Sequence, residues 1–195
     1  MRRLFGAAAG LMLVVGIGVA VYAVRPGPTA APGRSTQIGG PFSLIDQDGR
    51  PVNELTYLGK PTVFYFGFTY CPEACPTTLG HLAVWMKALG SDANKLNVVF
   101  ISIDPERDTP AKLKAYLSAY DPRFRGLTGS PEAVAAAAHY VNGVYNKVPL
   151  QGPDYTVDHS TTLYLMDAQG HFVEPIGYDE DPKMALASLK ALVGA

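Results

Sequence analysis

The chain has 195 residues, a length that predicts one globular domain with an accessory segment. Hydrophobic residues make up 48% of the chain, which is enough apolar material for a core. The formal net charge of -1, from 16 basic and 17 acidic residues, excludes the basic footprint of a nucleic-acid-binding protein and indicates no highly charged substrate.

The first residues predict a membrane anchor. Arg2 and Arg3 precede an uncharged run from Leu4 to Val24, which Arg25 ends. As a helix this run would be about 31 Å long, which is close to the thickness of the bilayer core and longer than the apolar region of a cleaved signal peptide. We therefore expect residues 1–25 to form an uncleaved transmembrane signal anchor, with the N-terminus inside and the rest of the chain outside.

A linker is predicted after the anchor. Residues 26–40 are rich in Pro, Gly, Ala, Ser and Thr, a composition typical of a flexible tether that would hold a domain near the membrane surface. Cleavage near Ala30 and Ala31 is the alternative to an uncleaved anchor. Residues 41–195 then form the folded domain.

This domain alternates strand and helix signals. Their order is a β-hairpin, a βαβ unit, a helical region, a second β-hairpin and a closing helix. Strands are predicted at 42–46, 51–53, 62–66, 97–103, 161–166 and 172–176, and helices begin near Pro76, Thr109, Ser130 and Asp181. Because a βαβ unit requires a right-handed crossover to a parallel neighbour, the order predicts an α/β, thioredoxin-like sandwich with an N-terminal β-hairpin.

The two cysteines of the chain, Cys71 and Cys75, lie between the end of a predicted buried strand and the start of a helix. Folds of the α/β class place ligands and reactive groups at such positions, and the partial positive charge of a helix N-terminus favours thiolates. Two adjacent thiolates form a soft donor pair suited to Cu(I) or zinc. A structural disulfide and a redox-active dithiol are the alternatives that this spacing leaves open.

His159 is the expected third donor of a metal site. It precedes the strand predicted from Thr161, and in a thioredoxin-like sheet the loop before that strand faces the loop that carries the cysteines. Asp158 or a backbone carbonyl would fix the second ring nitrogen. The other histidines are expected to be structural or exposed: His81 beside the apolar stripe of a helix, His139 at the end of an alanine-rich helix, and His171 on a hairpin.

Three segments follow one another in a recognisable order: Phe66 to Pro76, Ser102 to Pro110, and Asp158 to Ser160. Together they resemble the Sco/SenC family, and the similarity runs from about Gly40 to the C-terminus. The family often has His where this chain has Tyr70, and Asp-Ile or Asp-Val where it has Glu73-Ala74. The resemblance implies a thioredoxin-like copper chaperone for the CuA centre of cytochrome c oxidase. It also implies that Cys71, Cys75 and His159 bind the copper.

The function implied by the resemblance is delivery of copper, as Cu(I) or Cu(II), to cytochrome c oxidase subunit II. The location would be the inner membrane, with the domain facing the periplasm or, in a eukaryote, the mitochondrial intermembrane space. Other periplasmic copper chaperones are further expected partners, and nucleic acid is not one.

Two enzymatic functions compete with the chaperone. A thiol-disulfide reductase would keep the cysteines of an acceptor reduced. The CxxxC spacing and the lack of proline from Ser160 to Met166 argue against efficient thiol exchange. A peroxiredoxin-like peroxidase is disfavoured because Thr69 precedes Cys71 without the proline that such a site normally has.

Overall fold

The computed structural model describes residues 38–141, 143, 145–152 and 154–194. The predicted anchor at 1–25 and the linker up to residue 37 lie outside these ranges. Within them, no helix combines the length and the apolar character needed to cross a membrane.

The described residues form nine strands and four α-helices, together with two short 3₁₀ helices at Glu54–Tyr57 and Gly90–Lys95. In chain order they are β1 (Ser43–Asp46), β2 (Pro51–Asn53), β3 (Thr62–Gly67), α1 (Ala74–Leu89), β4 (Asn97–Ser102), α2 (Pro110–Leu117), β5 (Arg125–Thr128), α3 (Pro131–His139), β6 (Tyr145–Pro149), β7 (Tyr155–His159), β8 (Leu163–Met166), β9 (Phe172–Ile176) and α4 (Pro182–Gly194).

Seven of the strands form one mixed sheet in the order β2-β1-β5-β4-β3-β8-β9. The three central strands β5, β4 and β3 are parallel, and the neighbours on either side are antiparallel. Strands β3 and β4 are apolar runs buried along nearly their whole length, as expected for parallel strands that are covered on both faces. The predicted β-hairpin, βαβ unit and C-terminal antiparallel pair are all present.

The ends of β3 and β4 determine where the functional residues lie. Gly67 and Ser102 are paired in the parallel register, so the loops that follow the two strands leave the sheet side by side. The carboxyl ends of parallel strands are the usual position for a ligand in such a sheet.

A buried carboxylate joins these two loops. Asp108, which is fully buried, accepts hydrogen bonds from the backbone N–H of Thr69 at 2.9 Å, from the Thr69 hydroxyl at 2.5 Å and from the Ser102 hydroxyl at 2.7 Å. A charged group without water needs such partners, because an unsatisfied buried charge is costly. The Asp108 contacts therefore hold the loop before Cys71 against the end of β4.

Helix α1 begins at Ala74, two residues before the predicted start at Pro76, so Cys75 lies in its first turn. Proline is tolerated in a first turn because its missing N–H would have no partner within the helix. The predicted apolar stripe is confirmed: the buried positions of α1 include Leu79, Leu82, Met86 and Leu89.

Three strands were not predicted. The chain between β4 and β8 was expected to be helical, and the structure places β5 and the hairpin of β6 and β7 within it. Strand β5 has only four residues and forms by pairing with β4 and β1, so its signal is tertiary rather than local. The β6–β7 hairpin changes the context of His159, which ends a strand instead of lying in a plain loop.

The packing of α1 can be tested with two substitutions on the same helix. Leu82→Ala is expected to lower the free energy of unfolding by about 2–5 kcal/mol, since Leu82 is fully buried and its loss leaves a cavity. Val84 has 65% of its surface exposed, so Val84→Ala should change this free energy by less than about 0.5 kcal/mol. Denaturant unfolding measures both, and equal losses would contradict the observed orientation of α1.

Candidate metal centre

The first feature of the site is the way Cys71, in the loop before α1, caps the start of that helix. Glu73 occupies the N-cap position of α1 but makes no side-chain capping hydrogen bond. Instead, the Cys71 sulfur accepts a hydrogen bond from the backbone N–H of Cys75 at 3.3 Å. The sulfur thus takes the place of a capping oxygen at the positive end of the helix, where a negative charge is stabilised.

The two cysteines are free thiols and differ in environment: Cys71 is partly exposed, whereas Cys75 is fully buried. A hydrogen bond from the Cys75 thiol is the main cause that lowers the pKa of Cys71 to about 4. Burial opposes this shift, and His159 and backbone N–H groups contribute to it. The pKa of Cys75 is raised far above its usual range, because its proton is shared with the Cys71 thiolate and because it is buried. At neutral pH the pair therefore consists of one thiolate and one thiol.

His159 approaches the pair from the end of β7. Its Nε2 lies 3.5 Å from the Cys75 sulfur, and its Nδ1 lies 2.7 Å from the backbone oxygen of Ser160. A carbonyl oxygen can only accept, so Nδ1 carries the hydrogen in this contact, and Nε2 is the ring nitrogen that faces the sulfurs. Of the two predicted partners for the second nitrogen, it is a backbone carbonyl, and not Asp158, that makes the contact. The Phe68 ring packs edge-on against the imidazole, with 5.7 Å between ring centroids.

The ligand atoms of Cys71, Cys75 and His159 all lie within 4.8 Å of one another, and no other such cluster of potential metal ligands occurs in the described part of the chain. Three donors spread evenly around one ion at about 2.0–2.3 Å lie about 3.8–4.0 Å apart, so shifts of less than about 1 Å let these three atoms share a metal. The three remaining histidines are exposed and lie outside this cluster, as predicted.

Gly67 is a site residue that the sequence interpretation missed. A Cβ atom at this position would lie 2.8 Å from the Cys75 sulfur and 2.8 Å from the ring of Phe100, which is fully buried. Only glycine therefore lets the end of β3 pass this close to the sulfur. The available signal was a glycine at the end of a strand, which often marks a close approach.

The fold and the site define a class of protein. Two sulfurs and an imidazole nitrogen converge at the carboxyl edge of a mixed α/β sheet, and this combination is that of a metal-binding protein with a thioredoxin-like domain.

The comparisons with known proteins then give the family. The SCO1/SenC family model matches residues 30–194, and the chain belongs to this family. Protein SenC of Rhodobacter capsulatus is 36% identical, over 97% of this chain and 89% of its own length. The mitochondrial SCO1 homolog 1 of Arabidopsis thaliana is 42% identical over 82% of this chain. The chain spans about half the length of the first curated relatives it matches, 47% for the Arabidopsis protein.

A solved relative confirms the fold. The structure of Bradyrhizobium japonicum ScoI with copper bound is 46% identical, with a TM-score of 0.74, and the match covers 80% of this chain and 99% of that one. The predicted thioredoxin-like α/β fold and the predicted resemblance to the Sco/SenC family are thereby confirmed.

The low pKa of Cys71 gives a kinetic prediction. In the reduced, metal-free protein the rate of Cys71 alkylation by iodoacetamide should stay nearly constant between about pH 6 and about pH 8, because Cys71 is a thiolate throughout this range. Mass spectrometry identifies the modified cysteine. Cys75→Ala removes the main hydrogen-bond donor and should restore pH dependence. A rise of about tenfold per pH unit in the unaltered protein, as for an ordinary thiol, would contradict the assignment.

A second prediction concerns the space beside Cys75. Gly67→Ala should displace the Cys75 sulfur or the Phe100 ring and lower the free energy of unfolding by about 1–3 kcal/mol, the usual cost of overpacking a core. Gly80→Ala on α1 is the control, since a Cβ there meets nothing within 4 Å. If thermal unfolding shows that Gly67→Ala is tolerated as well as Gly80→Ala, the close approach is wrong.

Proposed function

We propose that this chain binds copper through Cys71, Cys75 and His159 and delivers it to the CuA site of cytochrome c oxidase subunit II. The observation that carries the proposal is the convergence of two sulfurs and one imidazole nitrogen within 4.8 Å. Thiolates favour Cu(I), and an added imidazole suits Cu(II) as well, so this donor set accommodates both oxidation states. Copper is bound in the related Bradyrhizobium japonicum ScoI, and the Sco family comprises cytochrome c oxidase assembly proteins.

The geometry supports a transfer function rather than permanent storage. Three protein donors leave a coordination position open, which an incoming ligand of the acceptor needs in order to form its bond before the old bonds break. Cys71 and His159 are partly exposed, whereas Cys75 is buried, so the acceptor approaches from the side of the first two. Because Cys75 is held as a thiol, copper binding must release its proton, and the affinity therefore depends on pH.

Location is part of the same proposal. We assign residues 1–25 to a single-pass anchor in the inner membrane, residues 26–40 to the linker and residues 41–195 to the copper-binding domain on the periplasmic side. The uncharged run from Leu4 to Val24 supports this assignment. A tethered domain has a high effective concentration near a membrane-bound acceptor, which favours delivery without tight docking.

A specific observation also favours the thiol-disulfide reductase as a second candidate function. An exposed thiolate of low pKa beside a buried thiol is the arrangement of an attacking and a resolving cysteine. The two candidates differ in their need for His159. Copper delivery requires all three ligands, whereas reduction of an acceptor disulfide requires only the two cysteines.

The ligand assignment is tested by copper titration of the full chain, with and without reductant, in competition with a chelator. His159→Ala is expected to lower the Cu(II) affinity by more than roughly 100-fold, because even residues that only support a ligand often cost about 10–100-fold. His171→Ala, which removes an exposed histidine from the β8–β9 turn, is the matched control and should bind like the unaltered chain. Equal Cu(II) affinities of the two variants would refute His159 as a ligand.

A further inference from the structure

The hairpin that carries His159 is separate from the main sheet. Strands β6 and β7 pair only with each other and form a two-stranded sheet of their own. An isolated two-stranded hairpin is marginally stable in water. The distance between His159 and the cysteines therefore depends on side-chain contacts between the hairpin and the rest of the domain.

Arg107 makes several of these contacts. Its guanidinium lies between two aromatic rings, with its central carbon 3.7 Å from the ring centroid of Tyr155 on β7 and 4.6 Å from that of Tyr70, which precedes Cys71. Its Nη1 also donates to the backbone oxygen of Tyr155 at 2.9 Å and to the Asp154 carboxylate at 3.0 Å. One side chain thus touches both segments that carry the proposed ligands.

Asp104 completes the arrangement. Its carboxylate is fully buried and accepts hydrogen bonds from Arg107 Nε at 2.5 Å and from the Tyr155 hydroxyl at 2.6 Å. Asp104, Arg107 and Tyr155 each contact the other two, and we call this group the hairpin clasp. Its base is the turn after β4, which the Asp108 contacts already hold against the cysteine loop.

The clasp acts on His159 along β7. Side chains on a strand alternate between faces, so Tyr155, Val157 and His159 lie on the same face, with the imidazole about 13 Å along the strand from Tyr155. Val157, between them, is almost fully buried. Because contacts fix Tyr155 at the start of β7 and Val157 in its middle, the end of β7 that carries the His159 imidazole can move only a little.

We propose that the hairpin clasp is a positioning device for the metal centre, in which Arg107 and Tyr155 hold His159 within reach of the two cysteine sulfurs. This inference rests on the proposed copper site. Removal of Arg107 leaves the buried Asp104 without its charged partner, so Arg107→Gln is also expected to lower the free energy of unfolding. The clasp is therefore recognised by a selective effect on the ligand geometry at His159. Without the clasp the cysteine pair would still bind Cu(I), but the imidazole would no longer be held in place for Cu(II).

The first arm of the test needs no metal. In the metal-free full chain, Arg107→Gln should accelerate hydrogen–deuterium exchange of the backbone amides of β7 by roughly tenfold, the factor expected for the loss of one to two hydrogen bonds. Tyr155→Phe keeps the ring and loses only the bond to Asp104, so its effect should have the same direction and be smaller. It also provides a second variant should Arg107→Gln fail to fold.

Glu106→Gln is the matched control. It removes the ion pair between Glu106 and Lys147, which joins the same turn to the same hairpin at 2.6 Å. Both partners of this pair are substantially exposed, at 56% and 43%, and such surface pairs contribute little. Exchange in β7 should therefore be the same in Glu106→Gln as in the unaltered chain.

The second arm measures copper. Both clasp variants should lose Cu(II) affinity, by roughly 10–100-fold for Arg107→Gln, while their Cu(I) affinity changes by less than about threefold. Electron paramagnetic resonance of the Cu(II) form should show weakened nitrogen coupling. A merely structural role would instead lower the Cu(I) and Cu(II) affinities together.

Two results would overturn the proposal. One is unchanged β7 exchange in both clasp variants, and the other is faster exchange with unchanged Cu(II) affinity. If the unaltered chain bound no copper, the proposed function would be wrong, whereas the exchange comparison would still decide whether the clasp holds the hairpin.

Discussion

The buried carboxylate of Asp108 is the contact on which the geometry of the metal centre depends. It accepts hydrogen bonds from the cysteine loop at Thr69 and from the end of β4 at Ser102. Removing water from a carboxylate is expensive, so these donors cannot withdraw without leaving an uncompensated charge. The two loops are consequently held as one unit. The turn that contains Asp108 also provides Asp104 and Arg107, which contact the hairpin that bears His159.

Without a metal, the cysteine pair holds a single negative charge. Two thiolates this close would repel each other, and their titrations are coupled, so the proton is retained on the buried Cys75 and the charge is held at Cys71. The helix N-terminus stabilises that charge through the Cys75 N–H, and the Ser160 carbonyl fixes the histidine hydrogen on Nδ1. A different local contact therefore orients each proposed ligand, and a metal ion that bound both sulfurs would displace one proton from the cysteine pair.

The parts of this structure that could be predicted were those with a strong local signal. Strands β3 and β4 are continuous apolar runs, α1 has a regular apolar stripe, and Cys71 and Cys75 are neighbours in sequence. His159 is more than eighty residues from these cysteines in the sequence. Its place beside them could be predicted only from an assumption about the fold and from the family resemblance. The hairpin contacts of Arg107 left no local pattern in the sequence, and the steric need for Gly67 left only a weak one, because both depend on distant residues meeting in space.

The tight packing around the Cys75 sulfur has a consequence for the order in which bonds to a metal break. Cys75 is fully buried in the first turn of α1, and its sulfur lies beside Gly67 at the end of β3. His159 is carried by a hairpin outside the main sheet, and Cys71 is partly exposed at the end of a loop. For copper bound as proposed, we therefore expect stepwise dissociation: incoming ligands replace the imidazole and the partly exposed Cys71 sulfur first, and the bond to Cys75 breaks last. Such an order would give the departing ion a direction, outward from the sheet edge rather than through the interior of the domain.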